Sequence, residues 1–198
     1  MNVSIDDIKK LKELSGIGLT DAKVALVEAE GDFDKALQAL RKKGLTKAEK
    51  KGDREAREGL VDSYVHGGRI GVLVEVNCET DFVARTDGFK SFVHEIALQV
   101  ASMSPIYVSE SEIPVEEIER VRSECKERTI ADGKPAAMVD KIVDGQVKKH
   151  FAEKVLLSQT YIKNEKQTVE DFLKENIALI GENIVIRQFK RIELGVNE

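Results

Sequence analysis

Residues 60–78 read L-V-D-S-Y-V-H-G-G-R-I-G-V-L-V-E-V-N-C, and this stretch decides the fold, because the apolar period changes at Leu60 from that of a helix to that of a strand. Leu60 to His66 and Arg69 to Cys78 are rich in Val, Ile, Leu and Tyr, and Gly67-Gly68 separates them. A Gly-Gly pair between two such runs supplies the positive φ angles of a tight hairpin turn. In the second run Ile70, Val72, Val74 and Val76 alternate with Arg69, Gly71, Leu73 and Glu75. One face is therefore clearly apolar and requires a cover of helices.

The cover follows at once. Phe89, Phe92, Val93, Ile96, Ala97 and Val100 make a broad helical stripe, with Thr86 or Asp87 as its cap and a stop before Pro105. Pro114 suits the first turn of another helix, with Ile118, Val121 and Cys125 on one side, and Gly133-Lys134-Pro135 breaks it. A helical stretch over 136–156 is expected next, interrupted near Gly145. Thr168 with Asp171 caps a further helix carrying Val169, Phe172, Leu173, Ile177 and Ile180. Asn183 to Glu193 then alternates as a third strand, expected to close the same sheet.

Upstream of the hairpin, residues 4–43 read as three short helices. Ser4 with Asp7 makes a capping box, and Ile5, Ile8, Leu11 and Leu14 recur at helical spacing until Ser15-Gly16. Leu19, Ala22, Leu26 and Ala29 form a second stripe ending at Gly31. Asp32 caps a third helix with Phe33, Ala36, Leu37 and Leu40, expected to end before Gly44. Residues 45–59, L-T-K-A-E-K-K-G-D-R-E-A-R-E-G, are mostly charge and have little to bury. The expected fold class is α+β. A three-helix domain occupies 1–44, a charged linker 45–59, and a core of about three antiparallel strands packed with helices fills 60–198.

Over 198 residues, 41% are hydrophobic and 34% charged, which is enough apolar matter for a real core. The formal net charge of -5 supplies no overall field toward nucleic acid or anionic lipid, so a protein is the expected partner. Acids directly after the first apolar residues argue against a signal peptide, and no segment reaches the roughly 18 apolar residues of a membrane span. The two cysteines, Cys78 and Cys125, form no C-x-x-C pair, so neither a zinc site nor a disulfide framework is indicated; a reducing cytoplasm is the expected setting.

Candidate chemistry concentrates just past the hairpin, in N-C-E-T-D-F-V-A-R-T, residues 77–86. Glu79, Asp81, Asp87 and His94 offer the residue types for acid–base work or a magnesium site, but at poor spacing: His94 falls off the apolar stripe, toward solvent. No H-E-x-x-H, nucleophile elbow, P-loop or G-x-G-x-x-G accompanies them, so no catalytic residue and no metal site is assigned. Cys78 follows an apolar strand and is expected to be buried rather than reactive. Thr80 can cap a single helical turn, beside which Asp81 adds a carboxylate. Phe82 then has two placements that composition does not separate: inward against Phe89 or Phe92, or outward as an anchor for another protein.

T-D-F-V-A-R at residues 80–85, preceded by V-E-V-N-C-E at 74–79, resembles the signature of the translation elongation factor Ts family. S-G-I-G-L-T-D-A-K-V-A-L at 15–26 is similar to the family's N-terminal motif, and I-G-E-N-I-V-I-R-Q-F at 180–189 to its C-terminal strand. The resemblance spans nearly the whole chain. Thr86 stands where the family usually has Asn, and the N-terminal loop and the linker also depart from its common forms. The resemblance implies a guanine-nucleotide exchange factor for elongation factor Tu, with a ubiquitin-associated-like N-terminal bundle and no covalent step. It implies no cofactor, because the nucleotide belongs to the partner. By the same matching, Thr80, Asp81, Phe82, Val83, Ala84 and Arg85 are the nucleotide-release contact, with Phe82 as wedge. Gly16, Ile17, Gly18, Leu19, Thr20 and Lys23 are expected to touch the partner's GTPase domain. The single core resembles the short bacterial type, which implies a homodimer and a two-to-two complex, with no direct contact to nucleic acid or membrane.

Overall fold

The computed structural model describes residues 3–15 and 17–196, and at 41–43, 45–47 and 49 it describes the backbone. The elements are α1 (Ile5–Ser15), α2 (Leu19–Glu28), α3 (Phe33–Glu49), β1 (Glu58–His66), β2 (Ile70–Cys78), α4 (Asp81–Ala84), α5 (Asp87–Met103), α6 (Val115–Ala131), α7 (Ala136–Ala152), β3 (Thr160–Tyr161), β4 (Asn164–Thr168), α8 (Val169–Ile180) and β5 (Ile184–Glu193). The class is α+β, with three helices ahead of a small antiparallel sheet of order β1-β2-β5 and its helices. The chain forms two compact units: Met1–Asp62, Val74–Glu95 and Asp171–Arg187 make one, and Ser63–Leu73, Ile96–Glu170 and Gln188–Glu198 the other.

The hairpin turns where two glycines permit it, Gly67 at φ 55° and Gly68 at φ 67°, and the Arg69 N–H donates to the His66 carbonyl at 3.0 Å. Val72, Val74, Val76 and Cys78 are buried along one face of β2, while Leu73 on the other face is exposed. Leu194 N–H donates to the Arg69 carbonyl, so β5 ends where β2 begins and the two run antiparallel.

In the first unit, α1 to α3 bury Leu11, Ala22, Ala25, Leu26 and Ala36 in a core of their own. Ser4 Oγ accepts from the Asp6 N–H at 3.2 Å, and Asp32 accepts from the Lys35 N–H at 3.0 Å. The expected stripe on α1 is narrower than its spacing suggested. Ile8 packs on this core, but Ile5 is exposed, and Leu14 with Ile17 and Leu40 turns toward Phe172 and Leu179 across a cleft of about 250 Å³. α3 also does not stop before Gly44 but continues to Glu49. A glycine costs a helix only about 1 kcal/mol. Here it also permits close approach, since a Cβ at Gly44 would lie 3.2 Å from the Ala178 Cβ on α8. Phe89, Phe92 and Val93 of α5 and Leu173 and Ile177 of α8 complete this unit's apolar interior, with the Phe92 and Phe172 rings 5.3 Å apart.

In the second unit, α6 and α7 form a helical hairpin about Gly133, which has φ 70°. Val121, Val139, Val143, Val147 and Phe151 form its seam. The interruption expected near Gly145 is absent; α7 passes through it, because that glycine is on the solvent side while the buried valines hold the helix. The short β3–β4 pair has no counterpart in the sequence reading, since N-E-K-Q-T carries no apolar alternation. It is anchored by buried Gln99, whose amide donates to Gln159 Oε1 and the Thr160 carbonyl, both at 3.1 Å, and accepts from the Ile162 N–H at 2.9 Å.

Gly59 is the position in β1 that tolerates no side chain. Its φ is 154°, and a Cβ there would fall 2.2 Å from the Val76 carbonyl oxygen. Gly59→Ala therefore forces the two strands apart and is expected to destabilise the fold by about 2 kcal/mol or more, measured by urea denaturation.

Candidate partner-binding site

At the end of β2 the chain leaves the sheet and makes the one-turn helix α4. Thr80 is its N-cap, with its hydroxyl oxygen accepting from the Val83 N–H at 3.4 Å. On the far side Thr86 repeats the device, its hydroxyl donating to the Val83 carbonyl at 2.8 Å and accepting from the Phe89 N–H at 3.3 Å. Thr86, where the sequence departs from the family pattern, thus caps α5. The turn is held between two threonines.

Within it the residues divide cleanly. Ala84 is buried, Asp81 and Val83 are half-buried, and Phe82 is 78% exposed, so the structure places the ring outward and not against Phe89 or Phe92. Burying a phenylalanine side chain yields roughly 1.5–3 kcal/mol, a gain most of which this ring does not take from its own chain. Asp81 pairs with Arg85 one turn on, at 2.8 Å between exposed side chains. An exposed pair of this kind is worth only about 0–1 kcal/mol, so either partner exchanges it readily for a contact elsewhere.

What holds the chain entering this turn lies 102 residues away. The Glu182 carboxylate accepts from the Glu79 N–H at 3.1 Å, the Thr80 N–H at 3.0 Å and the Thr80 hydroxyl at 2.7 Å. The exchange is reciprocal, because Glu79 Oε1 accepts from the Asn183 N–H at 2.6 Å and lies 3.5 Å from Arg54. Buried Asn183 in turn donates to the Gly52 and Arg54 carbonyls, and Lys51 donates to the Gly181 carbonyl. From sequence the third strand starts at Asn183, and Glu182 is only part of the stretch similar to a C-terminal strand, whereas β5 starts at Ile184. The available signal was a Gly-Glu-Asn turn between helix and strand; its target was hidden by distance along the chain.

Of the groups considered for catalysis, Glu79, Asp81 and His94 are engaged separately and Asp87 is exposed in the first turn of α5. Glu79 serves the Asn183 backbone, Asp81 serves Arg85, and His94 lies 3.3 Å from Asp62 on a half-exposed ring. Among the described residues no group of three His, Cys, Asp or Glu side chains is placed to hold a metal ion. Cys78 is buried beneath the turn, its thiol donating to the Thr80 carbonyl at 3.2 Å. Burial first, and the Glu182 charge second, push that thiol up to about 11.

The N-terminal candidates lie at the start of α2. Gly16 is outside the described residues. Ile17 packs on the bundle core, Gly18 is the α2 N-cap, and Leu19, Thr20 and Lys23 are exposed, with Leu19 and Lys23 one turn apart on one face. No helix among the described residues is long and apolar enough to cross a membrane.

Comparison with known proteins yields a consistent set. The family model described as Elongation factor TS matches residues 45–196. The chain is 52% identical to Elongation factor Ts of Thermoanaerobacter sp. (strain X514) over 194 residues, 98% of this chain and 95% of that protein. It is 50% identical to the protein of that name from Caldanaerobacter subterraneus subsp. tengcongensis over 194 residues, covering 98% and 97%. With that from Carboxydothermus hydrogenoformans it shares 53% identity over 189 residues, 95% of this chain and 87% of the relative.

Cys78 reports on the integrity of this region. Its folded value is raised above the ordinary value of about 9, so the stabilisation from burying the neutral thiol is complete below pH 9 and is lost as pH rises toward about 11. Stability measured by denaturation at successive pH values is expected to fall across that window by up to about 1.4 kcal/mol per unit from this group. At pH 8 a thiol reagent is expected to label Cys125 in the folded protein and Cys78 only on unfolding.

Proposed function

The chain belongs to the elongation factor Ts family, which gives it a role in translation elongation, and from that premise we propose that it is the guanine-nucleotide exchange factor for elongation factor Tu. The observation that carries the reading is the outward Phe82 on a capped, externally braced turn. Phe82 is the wedge, entering beside the helices that flank the partner's nucleotide site and disturbing its magnesium and phosphate contacts. Thr80, Asp81, Val83, Ala84 and Arg85 shape and surround it. The exposed face of α2 at Leu19, Thr20 and Lys23, with residues 16–18, makes a second contact with the GTPase domain.

The physics is linkage and requires no covalent step. Release accelerates only if the factor binds the distorted, nucleotide-free partner better than the GDP-bound one. Reciprocity then requires GDP to weaken the factor's own binding by the same ratio. The chain itself needs no cofactor in this scheme, and nucleic acid and membrane take no part. We assign the ubiquitin-associated-like bundle to 1–44, the charged linker, whose first residues extend α3 to Glu49, to 45–59 and the core, with its dimerisation function, to 60–198. The working form is a cytoplasmic homodimer that binds two partner molecules.

Release of a fluorescent GDP analogue from elongation factor Tu, chased with unlabelled GDP, tests the reading. The wild type is expected to accelerate release strongly. Phe82→Ala is expected to lose at least about 2 kcal/mol, some thirtyfold, with its denaturation curve little changed because the ring lies outside the core. A folded wild type without effect on release would leave an interaction module, not an exchange factor. Sedimentation at micromolar concentration is expected to give twice the chain mass, and a monomer there would refute the two-to-two assembly.

A further inference from the structure

A helix of four residues has no stability of its own, since nucleation is unfavourable and no propagation follows. Phe82, 78% exposed, receives almost no orientation from packing either. Its direction is therefore set by the chain entering and leaving the turn. Thr86 fixes the exit. The entry is fixed by Glu182, from the connection between α8 and β5, through two backbone N–H groups and the Thr80 hydroxyl.

We propose that Glu182 is a positioning residue for nucleotide release, holding the Glu79–Thr80 backbone so that Phe82 is presented in one direction before the partner arrives. The proposal rests on the exchange reading above and deepens it. Three donors converge on this side chain, and an ionised carboxylate, which only accepts, is the group that satisfies all three. The Thr80 hydroxyl is the transmitting atom. The hydroxyl donates its hydrogen bond to Glu182 Oε1, which leaves a lone pair of Thr80 Oγ1 directed toward the Val83 N–H inside the turn. Without the carboxylate the hydroxyl is free to rotate and the cap is held by one end only. If the turn then adopts the productive direction a fraction f of the time, apparent affinity for the distorted partner falls to the fraction f of its intrinsic value.

The test measures binding to nucleotide-free elongation factor Tu and GDP release for the wild type, Glu182→Ala, Phe82→Ala and the double variant. Glu182→Ala is expected to weaken binding and slow release about tenfold, a factor that shrinks to near one in the Phe82→Ala background. Simple loss of folded protein would cost the same factor in both backgrounds. That outcome, or a Glu182→Ala variant matching wild type, overturns the proposal. Hydrogen exchange on the chain alone gives the second readout: Val83 and Ala84 amides lose protection in Glu182→Ala while those of α5 keep it. Should Glu182→Ala fail to fold, Thr80→Val, which removes only the transmitting hydroxyl, is expected to reproduce a smaller loss with the same dependence on Phe82. A wild type that leaves release unchanged defeats the exchange reading, whereas unchanged Val83 and Ala84 protection in Glu182→Ala defeats this one.

Discussion

Three segments distant in sequence meet at one set of hydrogen bonds: the chain after α3 at Lys51 to Arg54, the end of β2 at Glu79 and Thr80, and the connection at Gly181 to Asn183. None of these segments is helix or strand at the point of meeting, and local turn bonds such as that from the Arg54 N–H to the Lys51 carbonyl leave other backbone groups to be satisfied from elsewhere. Glu79 and Glu182 solve the problem for each other, each carboxylate accepting from the backbone beside the other. Asn183, buried and donating to two carbonyls, ties in the third segment. The start of the sheet, the end of the last helix and the exposed turn are placed by this arrangement. A charged group is suited to it because hydrogen bonds to an ionised acceptor are roughly twice as strong as neutral ones.

The energetic division of the phenylalanines follows. Phe89 and Phe92 are buried and hold α5 to the first unit's interior, whereas Phe82, a few residues upstream, leaves most of its area in solvent. The surrounding polar contacts match that division. The pairing of Asp81 with Arg85 is exposed and weak, and the caps at Thr80 and Thr86 are directional. The turn is hydrogen-bonded where it joins the fold and uncommitted where it faces outward, and a segment held in this way has less freedom left to lose on contact with another surface.

Much of this was legible in the sequence. Gly67-Gly68 set the hairpin, the β2 alternation identified its buried face, and the spacing from Phe89 to Val100 marked the helix that covers it. These signals are local and repeat with a period, so the chain declares them. The misread positions share a different character. Gly44 and Gly145 signalled breaks that do not occur, because helix continuity there depends on packing across the helix. The β3–β4 pair is organised by Gln99 from another element. The direction of Phe82 was undecidable from composition because it depends on Glu182, a contact that no period encodes.

That separation carries a consequence for synthesis. The display turn emerges as residues 80–86, yet the acid that braces it comes 102 residues later, and β5 follows that acid. At roughly 5–20 residues per second, the turn waits about 5–20 s as nascent chain before its brace exists. During that interval Thr80 has no partner carboxylate, and Phe82 is an exposed aromatic on an unbraced segment. A product that terminates before Glu182 carries residues 80–86 in full and lacks the carboxylate that braces them. The fold thereby withholds a properly aimed Phe82 from fragments ending short of Glu182.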